Sequence, residues 1–185
     1  MKYKNFAILG VDGSGKSTLI KELANKFGNK CVITYMGSRS YEDDRLETLL
    51  KKKKCTRLEF YEIIIRRYIC FWKRYINSIR SRRIVLYDRY VHEIYINSSE
   101  HYKLLYTILY KYLYPSPKYT IYLYCSVEES LRRKNDIPDP IEFRKMKERF
   151  DNVFLHDRKC LCLSSEEYTP EELAEISYTF ISSKL

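Results

Sequence analysis

Short apolar runs alternate with longer amphipathic stretches along most of this chain. Five runs of four to seven residues predict buried strands, at 6–9, 31–36, 84–87, 119–125 and 160–163. Between them, apolar residues recur at three- and four-residue spacing, which predicts helices at 16–27, 56–80, 100–113, 127–134 and 141–154, with a last helix from Thr169. Because strands that alternate with helices form parallel sheets covered on both faces, the pattern predicts an α/β fold.

The longest predicted helix, 56–80, contains an apolar stripe that we expect to face inward. Thr56 is placed to cap this helix, and the stripe consists of Leu58, Tyr61, Ile65, Tyr68, Ile69 and Trp72. The helix contains more tyrosine and isoleucine than one buried face requires. A homodimer that forms through this region is therefore a further expectation.

Three of the five glycines in the chain lie within six residues of one another, between the first predicted strand and the first predicted helix. The segment reads Gly10-Val11-Asp12-Gly13-Ser14-Gly15-Lys16-Ser17-Thr18, which is the Gly-x4-Gly-Lys-Ser pattern of a phosphate-binding loop. Successive backbone N–H groups of such a loop surround an anion, and the following helix adds the positive end of its dipole. We expect these nine residues to bind ATP, with Lys16 on the outer phosphates and the Ser17 hydroxyl on Mg2+.

A second polar group, Asp88-Arg89-Tyr90, follows the strand predicted at 84–87. Ligands of parallel sheets bind at the carboxyl ends of the strands, so this group and the glycine-rich loop are expected at the same edge. Asp88 is expected to orient Mg2+ through a water molecule. Arg89 is expected to bind a phosphate of the second substrate, as arginine does with two parallel hydrogen bonds.

Chain length and net charge indicate the number of domains and the kind of partner. The chain has 185 residues, which predicts a single domain, 1–185, and its net charge is +10. Biased coding and a cleft for two phosphate-bearing ligands both account for the excess of lysine. Since no recognised nucleic-acid module accompanies the charge, we do not expect nucleic acid to be the primary partner.

Other sequence signals concern location and cysteine chemistry. The N-terminal segment shows no signal-peptide core, and the apolar stretches are too short or too charged to span a bilayer. We therefore expect a cytoplasmic protein that does not enter a membrane. The six cysteines show no Cys-x-x-Cys spacing and are expected to be reduced thiols. The three histidines are too scattered along the chain to suggest a metal cluster.

Together, these segments resemble the thymidylate kinase family of nucleoside monophosphate kinases. The glycine-rich loop and Asp88-Arg89-Tyr90 are joined by Ser126–Lys134, which is similar to the helix that leads into the lid of that family, and by the helix from Asp139 to Phe150. The resemblance covers about residues 5–155. It implies the three-layer P-loop kinase fold, with a five-stranded parallel sheet flanked by helices and a short helical lid at about 132–141. The implied reaction is phosphoryl transfer from ATP to a nucleoside monophosphate, with dTMP to dTDP as the leading candidate.

The resemblance also implies roles for individual residues. Lys16 would contact the donor phosphates, Asp12 would approach the acceptor sugar, and Arg89 with Tyr90 would bind the acceptor. Some members place an arginine inside the loop for transition-state charge, at the position of Gly13 in this chain. The lid must then supply that charge, so Arg132 and Arg133 are implied to be catalytic.

The departures from the family pattern fall on the acceptor side. The residues after Tyr90 are Val91-His92-Glu93, where the family usually has small hydroxyl residues. Arg66 and Arg67, our predicted acceptor-binding arginines, are one or two residues out of step with the base-facing arginine of the family. The loop Met36–Ser40 also differs. Two alternatives therefore stay open: a kinase for another small phosphorylated or hydroxyl acceptor, and a P-loop ATPase linked to nucleic acid.

Overall fold

A computed structural model describes residues 4–37, 42–52, 54–96, 104, 107–108, 112–134, 137 and 139–185, without the side chains of residues 94 and 95. It contains one parallel sheet whose strands are β1 (Asn5–Leu9), β2 (Cys31–Tyr35), β3 (Ile84–Asp88), β4 (Tyr119–Tyr124) and β5 (Cys160–Ser164). The strand order is β2-β3-β1-β4-β5, and every neighbouring pair is parallel. The predicted five-stranded α/β fold is confirmed.

Helices connect the strands and cover both faces of the sheet. They are α1 (Lys16–Phe27), α2 (Asp44–Leu50), α3 (Arg57–Arg80), α4 (His92–Ile96), α5 (Val127–Arg133), α6 (Pro140–Phe154) and α7 (Pro170–Ser183), with a 3-10 turn at Gly28–Lys30. Within the helix predicted at 100–113, residues 104, 107, 108, 112 and 113 are helical, and the others lie outside the described residues. All six cysteines are free thiols.

Side-chain caps begin five of the helices, namely α2, α3, α5, α6 and α7. Thr56 and Glu59 form a capping box at the start of α3, and Thr169 and Glu172 form another at the start of α7. Asp139 accepts hydrogen bonds from two backbone N–H groups of α6. Such caps typically stabilise a helix by about 1 kcal/mol each, because they satisfy N–H groups that have no partner inside the helix. The short polar motifs therefore determine where these helices start.

The two faces of the sheet have different cores. On one face, Phe6 and Ile8 of β1 pack with aliphatic side chains of α1 and α7. On the other face, the core is largely aromatic and includes Phe71, Tyr87 and Tyr122. The buried tyrosine hydroxyls have partners: Tyr122 donates to Asp151 at 2.6 Å, and the hydroxyls of Tyr87 and Ser78 lie 3.1 Å apart. The aromatic core thus packs against the face of the sheet opposite to the one that α1 and α7 cover.

The inward stripe predicted for α3 is wrong. The fully buried residues of this helix are Ile63, Phe71 and Ser78, whereas Leu58 is 81% and Ile69 is 59% exposed. Tyr61 and Ile65 are also exposed, and Tyr68 and Trp72 are half-buried. Periodicity predicted the helix correctly but could not show which of its two apolar faces is buried. The buried face includes Ser78, whose hydroxyl forms a hydrogen bond with the Tyr87 hydroxyl of β3.

Candidate functional site

The glycine-rich loop joins β1 to α1 at the carboxyl edge of the sheet. Gly10, Gly13 and Gly15 all have positive φ angles, at 152°, 83° and 89°. A side chain on Gly10 would overlap the carbonyl oxygen of Leu123, and a Cβ on Gly13 would lie 2.8 Å from the carbonyl oxygen of Ser130. The glycines are therefore required both by backbone conformation and by the close approach of β4 and α5.

Lys16 lies inside this loop with its ammonium group buried. Its Nζ donates to the carbonyl oxygen of Val11 at 2.6 Å. Burial, together with the charge of Arg89, lowers the pKa of Lys16 to about 8. The nearby Ser14 hydroxyl is also buried and has no hydrogen-bond partner in the part of the chain that the structure describes. A buried cation and an unpaired hydroxyl beside a nest of backbone N–H groups fit a bound polyphosphate.

Ser17 and Asp88 supply oxygen atoms of the kind that Mg2+ binds. Ser17 is exposed at the start of α1, and Asp88 is half-buried at the end of β3. Burial raises the pKa of Asp88, although the charges of Arg89 and Lys16 oppose that change. No group of three or more metal-ligating side chains occurs among the described residues. A hydroxyl and a single carboxylate suit a Mg2+ ion that takes its other ligands from phosphates and water.

Arg89 occupies the acceptor side of the site, immediately after β3. Its backbone has a positive φ of 65°, which is rare for a side chain of this size, and its N–H donates to Ile8 at 3.2 Å. Its guanidinium Nη2 lies 2.6 Å from Asp12 of the glycine-rich loop, and its Nη1 lies 2.6 Å from Glu93 of α4. The ends of two strands and one helix therefore converge on a single guanidinium.

The pKa values of the two carboxylates around Arg89 shift in opposite directions. Burial opposes ionisation of Asp12, but the hydrogen bond and charge of Arg89 outweigh burial and lower the pKa of Asp12 to about 2. Asp12 also lies 3.3 Å from Lys134. Glu93 is more deeply buried, and burial raises its pKa. Sequence reasoning missed Glu93, although its position in the segment just after β3, at the carboxyl edge of the sheet, was the available signal.

The other predicted acceptor residues occupy distinct positions. Arg66 is paired with Asp43 and Glu62, both at 2.9 Å, which ties α3 to the cap of α2. Arg67 has a buried Nε with no hydrogen-bond partner among the residues described. Tyr90 is fully buried, and its hydroxyl donates to Pro115 at 2.5 Å. Arg67 is thus available to a ligand, whereas Arg66 has partners within the fold and Tyr90 supports Arg89 from the core.

The two predicted lid arginines also differ. Arg133 donates to the Ser165 hydroxyl at 2.8 Å and to the Gly13 carbonyl at 3.3 Å. Both arginines pair with Glu129 at 2.6 Å, but the Arg132 side chain is 74% exposed and that of Arg133 is 31% exposed. Asn135, Asp136 and Pro138 of the predicted lid lie outside the described residues. The structure therefore brings Arg133, and not Arg132, against the glycine-rich loop.

A cavity of about 330 Å³ adjoins the loop on the side of Arg133. Its lining comes from the start of α1, the end of α5 and the turn between β5 and α7, and consists of Gly15, Thr18, Leu19, Arg133, Ser165, Tyr168, Pro170 and Leu173. We did not predict Ser165 and Tyr168 as site residues. Their position just after the last strand, at the carboxyl edge, was the available signal.

Comparisons with known proteins identify the family and agree with the fold. The family model described as thymidylate kinase matches residues 8–173. A structure of deoxyadenosine kinase from M. mycoides with the products dCMP and a flexible dCDP bound is similar, with a TM-score of 0.68, 18% identity, and coverage of 97% of this chain and 99% of that chain. The same kinase with bound dATP gives a TM-score of 0.64 at 15% identity, covering 96% and 99% of the two chains. No curated protein sequence matches the chain. No helix within the described ranges is long and apolar enough to cross a membrane.

Proposed function

The chain belongs to the thymidylate kinase family, and from this premise we propose that it transfers the γ-phosphoryl group of ATP to a nucleoside-type acceptor. Family membership supports a nucleotide kinase activity. The family favours dTMP to dTDP as the first reaction to test. The observation that carries the proposal is the 2.6 Å ion pair between Arg89 and Asp12, because it fixes an acceptor-side cation against the donor-phosphate loop.

The donor half uses the loop from Gly10 to Thr18. Its backbone N–H groups and the Lys16 ammonium bind the ATP phosphates, and the unpaired Ser14 hydroxyl supplies one more donor. Ser17 and Asp88 would hold Mg2+, which when bound neutralises charge on the phosphates. The adjoining cavity, with Tyr168 in its lining, would receive the base of ATP.

The acceptor half uses Asp12, Arg67 and Arg89. Asp12 and Arg89 lie together at the end of the sheet, and Arg67 is a partly buried cation whose buried Nε has no described partner. Arg133 is the arginine that we assign to transition-state charge, because it lies against the carbonyl of Gly13. Residues 132–141 would form the lid of a single domain, 1–185.

One observation favours a second class of acceptor: the Glu93 carboxylate is buried and forms an ion pair with Arg89. A phosphate acceptor needs no base, whereas a hydroxyl acceptor has a proton to lose. The similar solved structures are titled as a deoxyadenosine kinase. A hydroxyl acceptor is therefore the second candidate.

We also propose a homodimer that forms through α3. Five apolar side chains on its surface are more than a third exposed: Leu58, Tyr61, Ile65, Ile69 and Ile76. They recur every three to seven residues, so they form one continuous stripe along the helix. The cytoplasmic location stays a prediction from the sequence.

A coupled ADP-release assay tests the kinase function. ATP and Mg2+ are offered with deoxynucleosides, their monophosphates, simple sugars or single-stranded DNA. We expect stimulation of ADP release by a nucleoside or a monophosphate over the rate with ATP alone. Stimulation only by single-stranded DNA would support the nucleic-acid-linked ATPase instead and would overturn the proposal.

A further inference from the structure

Glu93 is the acceptor-side residue that the family pattern does not explain. In this chain the Glu93 carboxylate accepts a hydrogen bond from Nη1 at 2.6 Å and is only 7% exposed. The guanidinium therefore has a carboxylate on each of its two terminal nitrogens, Glu93 on one and Asp12 on the other.

Glu93 also lies close to the point of phosphoryl transfer. The Arg89 guanidinium links Glu93 to the glycine-rich loop, because it lies 2.6 Å from the Glu93 carboxylate and 2.6 Å from Asp12 of that loop. Lys16 of the same loop is the residue that reaches the outer phosphates of the donor. A single guanidinium therefore separates the Glu93 carboxylate from the donor-phosphate loop.

The ion pairs around Arg89 balance in charge without any substrate. Among the described ion pairs there, Asp12 and Glu93 neutralise Arg89 and Lys134. A phosphate dianion that bound both terminal nitrogens of Arg89 would compete with these two carboxylates. Displacing Glu93 would leave a buried carboxylate without its cation, next to two further negative charges. The balanced ion pairs therefore disfavour an acceptor phosphate at Arg89.

An alcohol acceptor has the opposite requirements. It brings no charge, so the ion pairs can stay intact, and its proton must leave as the oxygen attacks phosphorus. Protein kinases use a carboxylate next to the substrate hydroxyl for this purpose. A buried carboxylate held in place by an arginine beside the donor lysine meets the same need.

We propose that the acceptor is the primary hydroxyl of a nucleoside and that Glu93 accepts its proton; this rests on the kinase function proposed above. The hydroxyl oxygen forms a bond to the γ-phosphorus while its proton passes to the Glu93 carboxylate. The bond between the γ-phosphorus and the bridging oxygen of ATP breaks, and ADP leaves. The products are a nucleoside monophosphate, ADP and one proton, which Glu93 releases to water.

The test compares each deoxynucleoside with its own monophosphate as acceptor, in the wild type and in three variants. We expect the wild-type kcat/KM for the preferred nucleoside to exceed that for its monophosphate at least about tenfold. Glu93→Gln keeps an oxygen on Arg89 but removes the base, so kcat with nucleosides should fall about 10²- to 10⁴-fold while KM changes little. Glu93→Ser opens Nη1 of Arg89, and monophosphates should become better acceptors than they are for the wild type.

The matched control is Glu175→Gln, because Glu175 is an exposed glutamate of α7 paired with Lys26. Its kinetics should equal those of the wild type, and thermal unfolding checks that all variants fold. Wild-type preference for monophosphates, which needs no variant, would overturn the proposal, as would an unchanged kcat in Glu93→Gln. No ADP release with any nucleoside or monophosphate would instead overturn the kinase function itself.

Discussion

The donor and acceptor halves of this site lie on either side of Asp12, and they are built in different ways. The donor half consists mainly of backbone groups from one nine-residue segment, held in place by glycines with positive φ angles. The acceptor half that we propose consists of side chains from three separate places in the chain, namely Asp12, Arg67 and the segment that contains both Arg89 and Glu93. Backbone groups tolerate changes elsewhere in the sequence, whereas a site made of side chains changes with each substitution. The acceptor half is therefore the half that can diverge within the family.

The largest effect should come from Lys16→Ala, which removes the buried cation of the donor loop. We expect kcat/KM to fall by about 10³-fold or more, because charge on the transferring phosphoryl group loses its main side-chain partner.

Arg89→Ala should instead raise the KM for the acceptor about ten- to hundredfold and leave the KM for ATP close to its wild-type value. Steady-state kinetics with each substrate varied separately measures both. Equal changes in both KM values in Arg89→Ala would contradict the separation of the two halves.

The next effect compares two neighbouring arginines on α5. Arg133→Ala should lower kcat about 10²-fold or more, because the guanidinium lies at the Gly13 carbonyl, whereas Arg132→Ala should stay within about threefold of the wild type. Single-turnover rates of phosphoryl transfer distinguish the chemical step from product release. A larger loss in Arg132→Ala than in Arg133→Ala would mean that the exposed arginine moves onto the donor phosphates during turnover.

A smaller effect tests how rigid the donor loop is. Gly13→Ala places a methyl group 2.8 Å from the Ser130 carbonyl at a φ of 83°, and we expect the free energy of unfolding to fall by about 2–3 kcal/mol. Gly15→Ala is the matched control, since Gly15 has a similar φ of 89° and only an ordinary contact at 3.9 Å, and it should cost about 1–2 kcal/mol. Urea denaturation gives both values. Equal losses would show that the approach of α5 does not constrain the loop.

The smallest effect on activity should come from the exposed stripe on α3. Ile65→Lys combined with Ile69→Lys puts two charges on that surface, and light scattering should show half the wild-type mass, with kcat/KM within about twofold. Leu155→Lys, which changes an exposed apolar residue just after α6, is the control and should keep the wild-type mass. A monomeric wild type would rule out the dimer.

Several features were predictable because they are local in sequence. The strands, the caps at Thr56 and Thr169, and the loop from Gly10 to Thr18 each depend on a few consecutive residues. The buried face of α3 was not predictable, because two faces of that helix have apolar periodicity and only the sheet decides which is covered. The difference between Arg66 and Arg67 has the same origin, since it depends on whether Asp43 of the neighbouring segment lies within reach.

The sequence by itself determined the element order, the family and the donor loop, because short spacings and glycine positions constrain the backbone directly. Only the tertiary structure decided which side chains pair with Arg89. Its guanidinium meets Asp12, 77 residues earlier in the chain, and Glu93, one helical turn later. Which charges neutralise which others depends on distances in space, and on burial that strengthens each pair. We propose that this pairing, and not the motif that contains Arg89, determines which acceptor the site admits.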